Sequence, residues 1–282
     1  MGETGRACFI IEGNEFFMPV IFVREILSRP YTVHTPTMSA PRFYCPPPLP
    51  LNTNAELPPD AAHHASRVLR LRVGDAVQIF DGLGNAIDAT IHVINGKHVL
   101  LGNLQTVLDT SSSNLCIHLA QAMCSSEKMD WVIQKATELG ATSIQPVQTQ
   151  RSVAKLSAPR AEKRSAHWQG VAVAACEQSG RNSLPITHAP LELDAWLEAQ
   201  RSSNHKKFIL LPEGARALHE QMQVERDVVL LIGPEGGFTS DEALRAQHAG
   251  FVPIRLGPRV LRTETAAITA IAALQTLWGD FR

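Results

Sequence analysis

VVLLIGPEGGFTSDEALRAQHAG, running from Val228 to Gly250, holds a strand, a loop and a helix in one continuous stretch. Val228 to Ile232 is an unbroken aliphatic run with the length of a fully buried strand, and Gly233-Pro234-Glu235-Gly236-Gly237 ends it. Thr239 followed by Glu242 has capping-box spacing, which predicts a helix opening near Asp241, and Gly250 is placed at C′ to close it. The pattern then recurs. Phe251 to Leu256 reads as a short strand with Pro253 near its start, Gly257-Pro258 as its turn, and Thr263 to Trp278 as a long alanine-rich helix. Two glycine loops therefore follow two successive strands. In an open α/β sheet the carboxyl ends of strands are where small ligands bind, and glycine lets a ligand approach the backbone. No Lys-Ser/Thr follows these glycines and no G-x-G-x-x-G occurs, which sets aside a P-loop and a dinucleotide fingerprint. On spacing alone, Gly233 to Gly237 reads equally well as a tight turn.

Upstream, the chain divides. Asp109 to Asn114 is polar and turn-prone, without an apolar period, and marks the best domain boundary. After it, Leu115 to Ala120 reads as a strand, Ser126 caps a helix from Glu127 to Leu139, Gly140 ends it, and Ser143 to Val147 is the next strand. This β-α-β opening predicts a parallel sheet. A helix from Pro159 carries Trp168, Val171, Ala172, Ala175 and Cys176 on one face and stops at Gly180. A short strand after Pro185, a helix containing Trp196 and a strand from Phe208 to Leu211 follow, the last ending in Pro212-Glu213-Gly214.

Before the boundary, the elements are shorter. Asp60 reads as the N-cap of a helical stretch over Ala61 to Leu71, and three strands follow at Ala76 to Phe80, Ala86 to Ile94 and His98 to Val107. Asn95-Gly96 is a strong hairpin signal, and the whole predicts a small β-barrel. On the sequence alone His64, Arg67, Arg70 and Arg72 read as a solvated helix edge. The expected division is 1–37 as a leader, 38–108 as the barrel domain, 109–114 as a linker and 115–282 as the α/β domain.

Composition bounds the function. With 44% hydrophobic and 19% charged residues the chain is of ordinary globular type, and a net charge of −1 argues against indiscriminate coating of nucleic acid. Any RNA contact must come from a local patch. The five cysteines lack C-x-x-C pairing, which fits free thiols in a reducing, cytoplasmic setting and suggests neither a disulfide framework nor a zinc site. The histidines show no H-E-x-x-H spacing, so no metal is expected, and no apolar run approaches the length of a membrane span.

The wording of several segments adds a resemblance. LLIGPEGGFTSDE and LGPRVLRTETAAITAIAALQ, with EKMDWVIQKATELGA at Glu127 to Ala141, AACEQSGRN at Ala174 to Asn182 and RVLRLRVGD at Arg67 to Asp75, closely resemble the ribosomal RNA small subunit methyltransferase E family of the knotted SPOUT class. The resemblance covers most of Pro41 to Arg282. It does not extend over the leader, whose acids and broken apolar clusters resemble neither a signal peptide nor a presequence, and Met38 is the expected natural start with the leader disordered or untranslated.

The resemblance implies a SPOUT-type trefoil-knotted parallel-sheet domain preceded by a PUA-like RNA-binding barrel. It also implies a homodimer, S-adenosylmethionine as cofactor, and transfer of its methyl group to N3 of a uridine in 16S ribosomal RNA, the family target being uridine 1498. Spacing and periodicity alone predict an unknotted sheet. The cofactor would lie against three loops, at Leu211 and Pro212, at Ile232, Gly233, Pro234, Glu235 and Gly236, and at Leu256, Gly257, Leu261 and Thr263. RNA would be met by Arg42, His64, Arg67, Arg70, Arg72, Arg151 and Lys155. Methylation at N3 requires loss of a weakly acidic proton, by a base or by stabilisation of the uridinate. Glu264, Glu235, Glu177 and Glu213 are the candidate carboxylates and Arg262 and Arg181 the candidate cations, with Arg262, Glu264 and Arg181 expected at the catalytic centre. Glu264 reads equally as an acid answering the dipole of the following helix. Gln150 departs from the family pattern, which usually has Glu before the Arg at position 151. Two other functions stay open: a non-catalytic RNA-binding ribosome assembly factor, and an α/β enzyme using another adenosine nucleotide.

Overall fold

The structure is a computed structural model that describes residues 6–11, 14–19, 40–49, 55–109, 112–153, 158–212, 215–221 and 226–281. In the segment expected to be an unstructured leader, β1 (Arg6–Ile11) and β2 (Asn14–Pro19) pair as an antiparallel hairpin. Residues 40–282 form a separate compact unit built on two sheets.

The first sheet has five strands, β3 (Arg42–Tyr44), β4 (Ala55–Glu56), β5 (Ala76–Phe80), β6 (Ala86–Asn95) and β7 (His98–Val107), in the order β3-β5-β6-β7-β4. Among the described residues its ladders run from β3 to β4 without a closing pair. Two irregularities interrupt the β6–β7 ladder, between Asp88 and Thr90 and between Ile91 and Val93. Gly96 adopts φ 61° in the β6–β7 turn, the left-handed conformation that Asn-Gly hairpins use. Phe43, Val77, Ile79, Ile87, Ile91, Val99 and Leu101 form its buried core. Helix α1 (Pro59–His63) and a π-helical turn, His64–Val68, cover them with Ala61, Ala62 and Ala65. Pro58 is the N-cap of α1, so Asp60 lies inside the first turn and answers the helix dipole instead of capping.

The second sheet contains β8 (Cys116–Ala122), β9 (Ala141–Gln148), β10 (Ile186–Thr187), β11 (Leu191–Glu192), β12 (Lys206–Leu210), β13 (Arg216–Ala217), β14 (Asp227–Ile232) and β15 (Val252–Arg255). Every pairing is parallel, in the order β10-β9-β8-β14-β12-β15-β13 with β11 also on β9. One face carries α2 (Ser126–Glu138), α3 (Ala158–Ser179) and α6 (Thr263–Trp278), and the other α4 (Leu193–Gln200) and α5 (Ser240–His248). The aliphatic run of β14 explains itself in this setting. Val228, Leu230 and Ile232 enter the core under α2 and α6, while Val229 and Leu231 enter the core under α4 and α5.

The two sheets are bolted together beside the end of α3. Phe80, Ala86 and Cys176 share a small buried cluster, and the Tyr44 amide donates to Glu177 Oε1 at 3.0 Å. Arg42 Nη2 donates to Arg181 O at 2.9 Å and to Asn182 Oδ1 at 2.8 Å, with its guanidinium stacked 4.8 Å from the Phe80 ring.

Candidate active site

Three loops leave the carboxyl ends of β12, β14 and β15, which are neighbours or next neighbours in the sheet, so the loops converge. Between them is a cavity of about 640 Å³, within the range of small-molecule sites. Every cofactor residue expected from the sequence lines it: Leu211, Pro212, Ile232, Gly233, Pro234, Glu235, Gly236, Leu256, Gly257, Leu261 and Thr263. Glu213, one of the candidate carboxylates, lies outside the described residues.

The loops are held to one another by specific bonds. Thr263, buried at the first position of α6, donates its hydroxyl to Gly233 O at 2.5 Å and accepts from the buried Gln121 Nε2 at 2.8 Å. Thr239 and Glu242 make the full capping box at the start of α5. Glu242 is 2% exposed, and its second oxygen accepts the Gln150 amide at 2.7 Å, tying the turn after β9 to the same helix. The Gln150 side chain is exposed, so in this chain the backbone at position 150 makes the link. Arg151 reaches from that turn to donate to Gly236 O at 2.8 Å. A Cβ on Gly236 would stand 3.3 Å from two carbons of Arg151, so this glycine is small because of Arg151, whereas Gly237 and Gly257 are needed for φ of 67° and 76°.

Arg262 lines the cavity and is exposed, and its side chain has no hydrogen bond or ion pair among the described residues. Glu264 is in the first turn of α6 and does not line the cavity; its carboxylate is turned to Lys128, 3.6 Å away. Arg181 is not at the cavity. Its Nη1 donates to Thr137 O at 2.5 Å and Ala141 O at 3.1 Å, capping the C-terminal end of α2, and burial lowers its pKa. Its expected catalytic place therefore gains no support from this cavity, whose lining does not include it. Arg42, expected to meet RNA, is likewise turned into the junction between the sheets, with burial lowering its pKa. Arg67, Arg70 and Arg72 are exposed, interleaved with the exposed Val68, Leu69 and Val73, while His64 packs edge-on against Phe43. Lys155 lies outside the described residues. Glu177 sits at the junction, where burial raises its pKa.

Sequence reading missed Lys128, Leu210, Gly237, Phe238, Arg255, Arg259, Val260 and Ala266 as cavity residues. The two arginines flank Gly257-Pro258 and were legible as part of that turn; Lys128 belongs to a remote helix, and only its odd charge in a first turn marked it. Among the described residues no cluster of three ligating side chains could hold a metal ion, and no helix is long and apolar enough to cross a membrane.

Comparison with known proteins decides the family. The model of the RNA methyltransferase domain matches residues 111–275, and that of the RNA methyltransferase PUA domain matches 57–102. The ribosomal RNA small subunit methyltransferase E of Buchnera aphidicola subsp. Acyrthosiphon pisum is 34% identical over 242 residues, covering 86% of this chain and 95% of that protein. This chain belongs to the ribosomal RNA small subunit methyltransferase E family. Members of the family from distant bacteria are also similar, including that of Bacillus subtilis at 29% identity over 78% of this chain and 91% of the relative. The family enzyme of Neisseria gonorrhoeae, solved bound to S-adenosyl methionine, superposes with a TM-score of 0.80 at 39% identity, covering 86% of this chain and all of that one.

Proposed function

We propose that this chain methylates N3 of a uridine in 16S ribosomal RNA, the family target uridine 1498, with S-adenosylmethionine as donor. The observation that carries the reading is the cavity itself: three strand-end loops bearing the family's motifs converge on it, with an unpaired arginine in its wall. The residues fit the cofactor. Glycine backbone at 233, 236 and 257 permits close approach, and Ile232, Leu211, Leu256 and Leu261 offer apolar surface to an adenine ring.

When bound, the cofactor supplies a methyl carbon on a sulfonium, and transfer forms the N3–C bond as the S–C bond breaks. The chain's contribution is to place the uracil ring and to stabilise the negative charge left when N3 loses its proton. Arg262 is the group placed for that work. Glu264, engaged with Lys128, holds position. The exposed Arg67, Arg70 and Arg72, with Arg151 at the cavity, would take backbone phosphates.

We also infer the trefoil knot and the two-fold dimer of the SPOUT class. Supporting the knot, β15 lies between β12 and β13, yet the chain returns from it to bond Gly233 and Gln121 beside β14 and β8. Supporting the dimer, Trp131, Leu277 and Phe281 leave apolar surface exposed on and after two packed helices. Sedimentation at micromolar concentration should give a dimer; a fully active monomer would refute it.

Incubation with labelled S-adenosylmethionine and small subunits lacking the modification should transfer label and create one sharp block to reverse transcription. Binding of RNA without transfer would favour the assembly-factor reading.

A further inference from the structure

Helix α2 opens with an unexpected charge. Lys128 stands in its first turn, where the helix dipole favours an acid and a cation must be answered from elsewhere. Two carboxylates answer it. Lys128 Nζ lies 3.1 Å from Glu235 Oε1 and 3.6 Å from Glu264 Oε2. Glu235 belongs to the glycine loop after β14, and Glu264 to the first turn of α6, so one ammonium joins three elements where two cavity walls meet. Glu264 Oε2 is buried and makes no hydrogen bond, and its contact with Lys128 is electrostatic alone.

The titration behaviour agrees with this geometry. Burial pushes the Glu235 carboxyl up, but backbone hydrogen bonds and Lys128 outweigh it and hold the group below its usual value. The hydrogen bond to Glu235 raises Lys128 in return. The neighbouring Cys124 thiol is pushed to about 12, chiefly by burial, and stays neutral; Arg151, Arg255, Arg259 and Arg262 are the other charged groups lining the cavity.

We propose that Lys128 is a positioning residue for the methyl transfer: its ammonium cross-links the Gly233–Gly237 loop to the start of α6 and sets the spacing of the walls that receive S-adenosylmethionine. The inference rests on the cofactor reading above. Without Lys128 two carboxylates, both within 3.6 Å of one point, face each other across a half-buried space and repel. Protonation of either carboxylate relieves the repulsion, which makes the variant's cofactor affinity depend on pH in a way the intact protein avoids.

The test compares Lys128→Met with the wild type by calorimetry with S-adenosylmethionine at pH 8 and pH 5.5, and by hydrogen exchange of residues 233–238 and 262–266 in unliganded protein. The variant should bind about tenfold more weakly at pH 8, between the small cost of an exposed pair and the large cost of a buried one. The ratio of its dissociation constant to that of the wild type should shrink at pH 5.5, and both segments should exchange faster. Lys128→Arg should retain binding, and adding Glu264→Gln to Lys128→Met should restore it at pH 8. A ratio independent of pH, or unchanged exchange in both segments, would overturn the proposal. If Lys128→Met does not fold, Glu264→Gln alone carries the test: exchange should rise in 262–266 and not in 233–238, and unchanged exchange in 262–266 would overturn it. Failure of the wild type to bind S-adenosylmethionine would sink the cofactor reading, while exchange in the unliganded protein still reports on the cross-link.

Discussion

The Thr263 hydroxyl donates to the Gly233 carbonyl at 2.5 Å and so fastens the start of α6 to the end of β14. The bond joins two glycine-loop motifs into one wall and is itself buried, since Thr263 is 5% exposed. Thr263→Val keeps the shape and removes the hydroxyl, leaving the Gly233 carbonyl without that donor and Gln121 Nε2 without one acceptor. The expected cost is about 1–3 kcal/mol of stability, read as a lower urea midpoint with unchanged slope. An unchanged midpoint would show that water replaces the hydroxyl.

Arg262→Ala separates binding from chemistry. If the guanidinium acts only on charge that develops in the transition state, S-adenosylmethionine affinity should stay near that of the wild type. Turnover should fall on the order of 10²- to 10³-fold, the usual cost of losing one preorganised donor. Raising the pH should recover part of the rate, because solvent then takes the N3 proton more readily. Loss of cofactor affinity with turnover intact at saturation would instead make Arg262 a cofactor residue.

Gly236 and Arg151 should behave as a coupled pair. Gly236→Val forces the Arg151 side chain away from a contact of 3.3 Å and breaks its bond to Gly236 O. Cofactor affinity should fall in Gly236→Val, and an added Arg151→Ala should restore a substantial part of it, giving an interaction energy outside the range of independent sites. Strict additivity would mean that the valine meets the ligand and not the arginine.

His118 gives the protein a measurable acid sensitivity away from the cavity. Burial lowers its pKa against the opposing pull of Asp227, 3.5 Å away, and the stacked His205 and nearby His188 lower it further. The folded state therefore binds this proton less readily than the unfolded chain. The associated stability is complete above the ordinary imidazole value of about 6.5 and is lost as pH falls from there through the folded pKa. His118→Gln, which keeps a hydrogen-bonding group near Ser143, should lose less stability between pH 7 and pH 5 than the wild type in denaturant titrations. An identical pH slope would refute the assignment.

Much of the methyltransferase domain was legible locally because its signals are local. The run Val228 to Ile232 is apolar at every position, which only a strand covered on both faces requires, and β14 is covered on both. Thr239 and Glu242 form the capping box at the spacing read from the sequence, and the predicted helix Thr263 to Trp278 matches α6. The long strands of the first sheet were legible in the sequence, whereas its edge strands of two and three residues carry no periodic signal.

What only the tertiary structure decided is which charged side chains face the cavity and which are used up elsewhere. In the sequence, Arg181, Arg42 and Arg262 are three arginines beside turns. Folding sends the first to the carbonyls at the end of α2 and the second into the junction between the sheets, and leaves the third unpaired at the cavity among the described residues. Lys128 reached the same cavity from a remote helix. An amphipathic period records which face of an element is buried. It cannot record the partner of a long, flexible cation, because that partner comes from a different part of the chain and is fixed only when the sheet brings the loops together.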